Sequence, residues 1–352
     1  MEIVQDTSSI PKPLIHDLTR QELGRACAEL ELPKYRAEQI WHWLYVQRAT
    51  SWDVMNNLSV KLRAQLAEKY AVESVTAIEM HGDPADTRKI LVGLPDGERV
   101  EEVLIPAPNR RTVCVSSQIG CRFGCAFCAS GQAGFRRNLA AGEMVGQILL
   151  AGRVFAEPLT NVVFMGIGEP FDNYDAVLKT VRIINHKEGL NFGARRITIS
   201  TCGVIPGIEK LAAEGLQVEL SVSLHAATDE LRTKLMPVNA RYPLDALLAA
   251  CKAYFAATKR LITFEYALIR GINDQPEHAK QLAGLLRQMP GRVNLIPLSP
   301  VEEYEGEPSS EETAEMFMNI LVKSGINTTL RRSKGGSLKA ACGQLRFARK
   351  EN

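Results

Sequence analysis

The chain has 352 residues, 45% hydrophobic and 23% charged, with a formal net charge of +2. This balance fits one large globular domain with a smaller companion and excludes a disordered chain or one that binds polyanions through its overall charge. No run of about 18 apolar residues occurs, and the opening "MEIVQDTSSIPKPL" has no charged stretch followed by an apolar one, so neither a membrane span nor a signal peptide is expected and a cytoplasmic location is.

Residues 1–85 read as a small helical N-terminal accessory domain. "DLTRQELGRACAELEL" offers Asp17 or Thr19 as a cap, and "KYRAEQIWHWLYVQRATSWDVMNNLSVKLRAQLAEKY" holds two further amphipathic runs. Trp41, Trp43 and Tyr45 suit a small core better than a base-stacking surface. Residues 86–110 read as a β-hairpin linker around Pro95-Asp96-Gly97. Residues 111–352 alternate strand and helix. The predicted strands are "RTVCVSS", "TNVVFMGI", "RRITIST", "LQVELSVSL", "RLITFEYALI" and "GRVNLIPLS". Six such units imply parallel strands with right-handed crossovers, and six are too few to close an eight-stranded barrel. The fold class is therefore α/β, an open partial (βα)6 barrel. A helix in "SSEETAEMFMNILVKSG", capped from Ser309 to Glu312, the strand "INTTLRRS" and a loop "KGGSLKAACGQL" form a C-terminal extension.

In such sheets the loops at the strands' carboxyl ends build the active face. Here those loops carry "GCRFGCAFCASG", then Gly166 to Pro170, then Ser200, Thr201 and Cys202, then Ser223, Leu224 and His225, and finally Asn273 and Ser299. Paired basic residues (Arg110–Arg111, Arg136–Arg137, Arg195–Arg196, Lys259–Arg260, Arg331–Arg332) stand beside these motifs and fit contact with RNA. Eight cysteines in a cytoplasmic chain argue against a disulfide framework, and Cys27 and Cys251 fall in helical patterns as buried thiols. Cys121, Cys125 and Cys128 form a CxxxCxxC with no fourth cysteine nearby. A structural zinc wants four ligands, whereas three thiolates on one short loop suit an iron–sulfur cube with one iron left open.

A CxxxCxxC after the first strand of a six-unit barrel resembles the radical S-adenosylmethionine superfamily. The stretches "TVCVSSQIGCRFGCAFC", "MGIGEP", "RRITIST", "VSLHA", "LMPVN", "FEYALIRGIND", "AACGQL" and the N-terminal "YRAEQIWHWLY" narrow the resemblance to the RlmN/Cfr family of radical RNA adenine methyltransferases over essentially the full length. The resemblance implies a [4Fe–4S] cluster on Cys121, Cys125 and Cys128. It also implies S-adenosylmethionine in a pocket of Gly168, Glu169, Ser200, Ser223, Leu224, His225 and Ser299. Cys342 of "AACGQL" matches the family's methyl-carrying cysteine, Cys114 its resolving thiol and Glu101 its proton acceptor. Taken alone, Cys114 would read as a buried strand thiol, and Glu102 beside Glu101 leaves that match open. The implied substrates are 23S rRNA, at one adenine of the peptidyl-transferase centre, and adenosine 37 of tRNA. The implied electron donor is a protein such as flavodoxin or ferredoxin. "FEYALIRGIND" favours methylation of carbon 2 over carbon 8; a cluster-binding RNA module without turnover is a further alternative. The chain departs from the family pattern at Ser299, usually asparagine, and at Ser337, usually an acidic position.

Overall fold

The structure, a computed structural model, describes residues 12–83, 85–155, 157–331 and 339–349; Ser337 lies outside them. The N-terminal part packs α1 (Arg20–Glu29), α2 (Lys34–Tyr45) and α3 (Val60–Lys69). Thr19 rather than Asp17 caps α1: its Oγ1 accepts from Glu22 N–H at 3.2 Å while Glu22 Oε2 accepts from Thr19 N–H at 2.8 Å, so two otherwise orphaned donors are satisfied reciprocally. Trp41 and Tyr45 lie in the core, while Trp43 is half-buried and donates Nε1–H to Asn57 Oδ1 at 2.6 Å. The part docks on the barrel through Asp17, whose Oδ1 accepts from Gly142 N–H at 2.7 Å.

Strands β1 (Thr76–His81), β2 (Arg88–Gly93) and β3 (Glu98–Ala107) run antiparallel, with Gly97 supplying the positive φ of 84° that the β2–β3 turn requires. β3 pairs antiparallel with β4 (Arg110–Cys114), so the hairpin region is continuous with the barrel sheet. Then come the small hairpin β5 (Gln118–Gly120) and β6 (Phe135–Asn138), enclosing the short α4 (Ala129–Gln132), and α5 (Ala141–Val154). The alternation continues as β7 (Asn161–Phe164), α6 (Tyr174–Asn185), β8 (Ile197–Thr201), α7 (Ile205–Ala213), β9 (Glu219–Ser223), α8 (Asp229–Leu235), α9 (Leu244–Thr258), β10 (Ile262–Leu268), α10 (Pro276–Leu286) and β11 (Gly291–Pro297).

The sheet order is β1-β2-β3-β4-β7-β8-β9-β10-β11-β12, where β12 is Thr328–Leu330 after α11 (Glu311–Lys323), and a terminal β13 (Phe347–Arg349) pairs with β3. From β4 to β12 every neighbour is parallel. The six expected strands are thus adjacent in chain order, with β12 added at the open edge. Their β-branched and aromatic residues, such as Val162, Ile199, Val222 and Phe264, are almost fully buried, as continuous apolar runs under crossover helices require. The cap of α11 falls one residue later than expected. Ser310 has the extended backbone and accepts from Thr313 N–H at 3.1 Å, whereas Ser309 donates its hydroxyl to Asp274 Oδ2 at 2.7 Å.

Candidate active site

The cysteine loop is clamped at both ends by backbone hydrogen bonds. Cys121 N–H donates to Gly134 O across the β5–β6 hairpin at 3.0 Å, Ala126 N–H to Leu235 O at the end of α8 at 2.9 Å, and Cys128 N–H to Cys125 O at 3.1 Å. Among the described residues no three His, Cys, Asp or Glu side chains gather around a single metal ion. The three thiols instead border one strand-end cavity of about 180 Å3. Burial, and then the neighbouring thiols, push the Cys125 thiol well above its usual range; burial pushes Cys121 up to about 12 and Cys128 upward. Sulfurs this reluctant to ionise become thiolates only against a strong cationic partner, and soft, crowded thiols are the donor set of an iron–sulfur cluster. The residues present fit that group.

The same cavity is bordered by Gly168, Glu169, Ser200, Ser223, His225, Ser299 and Cys342. Gly168 sits at φ 101°, and a Cβ there would stand 2.5 Å from that of Gln118, so only glycine lets the β7 loop pass this close. Glu169 is buried; its Oε1 accepts from Phe171 N–H at 3.0 Å and its Oε2 from Cys202 N–H at 2.7 Å, while burial pushes its pKa up. The carboxylate therefore ties the β7 loop to the β8 loop as well as facing the cavity. His225, at φ 57°, accepts Ala267 N–H on Nδ1 at 2.8 Å, and its carbonyl accepts from Asn273 Nδ2 at 2.8 Å. Burial lowers its pKa to about 3, so the ring is neutral with its proton on Nε2. Phe127 packs edge-on against it with ring centroids 4.9 Å apart. Leu224 differs from its neighbours: its side chain is wholly buried in the core, and only its backbone serves the rim, donating to Glu265 O at 3.0 Å and accepting from Arg232 Nε at 3.2 Å.

Arg232 is a rim residue that sequence reasoning missed. Fully buried, it donates to Cys202 O at 2.7 Å, Ser223 O at 2.9 Å and Asn239 Oδ1 at 2.9 Å, stitching three loops together. Its signal in the sequence was only a basic residue in a short helix after "SLHA".

The C-terminal loop closes over the cysteine loop. Ala129 N–H donates to Gly343 O at 2.8 Å and Ser130 Oγ to Leu345 O at 2.6 Å, while Gln344 Nε2 donates to Pro300 O at 2.8 Å. Cys342, exposed, is thereby set at the cavity edge, and it also shares a smaller space of about 30 Å3 with buried Cys114. Sheet register separates the two glutamates. Val103 pairs with Cys114, so Glu101 lies on the Cys114 face and Glu102 on the opposite one. Glu101 Oε1 contacts Lys89 Nζ at 2.8 Å, and its Oε2 accepts from Arg346 N–H at 2.8 Å, four residues past Cys342. It holds the C-terminal loop and does not border the strand-end cavity.

A three-cysteine loop at the strand ends of an open parallel barrel, over a cavity with a buried glutamate, defines a radical S-adenosylmethionine enzyme. Residues 115–283 match the Radical SAM superfamily, and residues 15–72 match the ribosomal RNA large subunit methyltransferase N-terminal domain. A probable dual-specificity RNA methyltransferase RlmN of Desulforamulus reducens is 46% identical over 333 residues, covering 94% of this chain and 95% of that one. One from Geobacillus kaustophilus is 47% identical over 342 residues, covering 96% and 93%. The crystal structure of a radical SAM methyltransferase from Sphaerobacter thermophilus superposes with a TM-score of 0.92 at 48% identity, covering 95% of this chain and 99% of that one. The chain belongs to the RlmN family of radical S-adenosylmethionine RNA methyltransferases. Its cofactors are a [4Fe–4S] cluster and S-adenosylmethionine.

Proposed function

We propose that the enzyme methylates carbon 2 of an adenine in 23S rRNA and of adenosine 37 in tRNA, through a methyl group carried on Cys342 and a transient bond between protein and RNA. The observation that carries this reading is the position of Cys342, which borders both the cavity of the three cluster cysteines and the small space holding Cys114. When bound, the cluster and S-adenosylmethionine supply a methyl group and a primary carbon radical. Cys121, Cys125 and Cys128 hold the cluster, and Gly168, Glu169, Ser200, Ser223, His225 and Ser299, with the backbone of Leu224, shape the pocket.

The rest falls to the chain's own residues. Cys342 sulfur takes the methyl group, which then gives up one hydrogen atom to the primary carbon radical. The methylene radical adds to carbon 2 of adenine, an electron-poor centre that simple displacement does not methylate, and the adduct gives up one electron, which returns to the oxidised cluster. Glu101, on the Cys114 face beside the C-terminal loop, takes the proton of carbon 2. Cys114 then attacks the Cys342 sulfur, forming an S–S bond and expelling the methylene carbon, which frees the RNA. The dual-specificity names of the relatives and the matched N-terminal domain support the two RNA substrates, and a small electron-transfer protein such as flavodoxin or ferredoxin is the expected donor. Nuclease digestion and mass analysis of treated rRNA distinguish the modified carbon: 2-methyladenosine is expected, and 8-methyladenosine overturns the assignment. Cys114→Ala enzyme purified from cells is expected to carry RNA bonded through Cys342, and Cys342→Ala to carry none.

A further inference from the structure

Arg331, directly after β12, stands where three spaces meet. It borders the strand-end cavity, the small space shared by Cys114 and Cys342, and a polar cavity of about 480 Å3 within the barrel. Its backbone N–H donates to Leu295 O at 2.8 Å, which ties it to β11. Its charge is coupled most strongly to Cys342, then to Glu265 and Cys114, with Arg110 as a like-charged neighbour. We propose that Arg331 is a positioning residue for RNA release, favouring the thiolate form of Cys114 in the space it shares with the sulfur of Cys342. This rests on the reading of Cys114 as the resolving thiol.

The need for such a residue follows from burial. Cys114 sits in an apolar space among Val103, Val163 and Leu345, and burial, then Cys342 and Glu102, push it up to about 12 against Arg331 and the backbone N–H of Met165. Even with Arg331 in place a thiol held there is ionised to about one part in ten thousand near pH 8, so the rate of attack follows whatever raises or lowers that small fraction. Among the described residues Arg331 is the cation that acts on it to lower its pKa. Glu265 is the competing anion. It is buried, accepts from Asn294 Nδ2 at 3.2 Å, and burial pushes its pKa up, which weakens its competition with the sulfurs for the guanidinium.

The step balances. The Cys114 thiolate attacks Cys342 sulfur, the S–S bond forms and the sulfur–methylene bond breaks. The electron pair leaves on the methylene carbon, is delocalised into the adenine ring, and takes up a proton to give the methyl group. The two sulfurs are oxidised to a disulfide while that carbon is reduced, and an external dithiol reductant restores both thiols.

The test uses cluster-loaded full-length enzyme as wild type, R331K, R331M and C114A, following the protein–RNA adduct in single turnovers between about pH 6.5 and 9.5. R331M is expected to release RNA at least about tenfold more slowly near pH 7.5, recovering about tenfold per pH unit, while R331K stays within about threefold of wild type. C114A is expected to retain the adduct at every pH. Wild-type release by R331M, with C114A retaining adduct, overturns the role of Arg331 alone; C114A without adduct overturns the resolving reading itself. Independently of turnover, peptide-resolved reaction of Cys114 with a small disulfide reagent in a C342A background should slow about tenfold near pH 8 on adding R331M. An unchanged rate there overturns the proposal even if R331M forms no adduct.

Discussion

Individual side chains in this protein owe their protonation to where the fold buries them. His16 has neither ring nitrogen hydrogen-bonded, and burial lowers its pKa to about 4; His225 is lowered to about 3. Both folded values lie below the unfolded 6.5, so the unfolded chain binds these protons first as pH falls. Their contribution is complete above about pH 6.5 and is lost as pH drops toward 4 and 3. Between about pH 7.5 and pH 5 each should cost about 2 kcal/mol. Urea midpoints at the two pH values should show the loss, and His16→Phe should lose measurably less; an identical loss would remove His16 from the account. Glu102 has the opposite sign. It stands among Ile90, Val92, Val100 and Leu104 with no hydrogen-bond partner for either oxygen, and burial pushes it well above the carboxylate range. Its contribution is present below about pH 4.5 and lost as pH rises through the folded value. Glu102→Leu should therefore raise unfolding stability near pH 7.5 by about 1–3 kcal/mol. A less stable variant would show that the carboxyl is satisfied in place.

Two loops, not two regular elements, meet at the chemistry, and their mutual hydrogen bonds decide where Cys342 lies. The contact depends on Gly343, at φ 83°, where an added Cβ would press against Phe127 O at 3.2 Å. Gly343→Ala should cost about 1 kcal/mol locally and displace Cys342 from the cavity edge. The expected result is a several-fold loss of S-methylated Cys342, read by peptide mass analysis, with the visible absorbance of the cluster intact. Loss of that absorbance would mean that the C-terminal loop holds the cysteine loop together rather than merely closing over it. The same element logic separates Glu101 from Glu102: adjacent residues of a strand point to opposite faces, and pairing with β4 fixes which face meets Cys114.

At the scale of the whole molecule, the N-terminal helical part rests on α5 through glycines that admit close approach. A Cβ at Gly146 would overlap Ser74 Oγ, and one at Gly142 would meet Leu14 Cβ at 2.9 Å. Arg48 and Lys179 add polar ties, to Gly152 O at 3.3 Å and Glu22 at 2.9 Å. Gly146→Val should lower stability by about 1–3 kcal/mol by overpacking this seam. Because the catalytic cavity lies at the strand ends and the seam behind the sheet, cleavage of S-adenosylmethionine should fall less than methylation of RNA. The ratio of 5′-deoxyadenosine to methylated RNA measures this, and an unchanged ratio would show that the seam serves stability alone.

Short-range patterns carried most of the fold and the chemistry of the site. Runs of β-branched residues with intervening amphipathic stretches determined six parallel strands, and three thiols within eight residues marked the candidate cluster loop, because each signal lies within one turn or strand of itself. Tertiary structure decided what depends on distant partners. Glu101 is assigned to the Cys342 loop by a bond to a residue 245 positions away. Leu224 proved to serve the rim by backbone alone, and the short hairpin clamping the cysteine loop carried no strand-length pattern. Arg331 reads in sequence as half of a basic pair that fits RNA contact, and Arg232 carries no signal of a buried role. Only the folded chain surrounds them with carbonyls and thiols, because burial and counter-charge are properties of the assembled interior rather than of any local stretch.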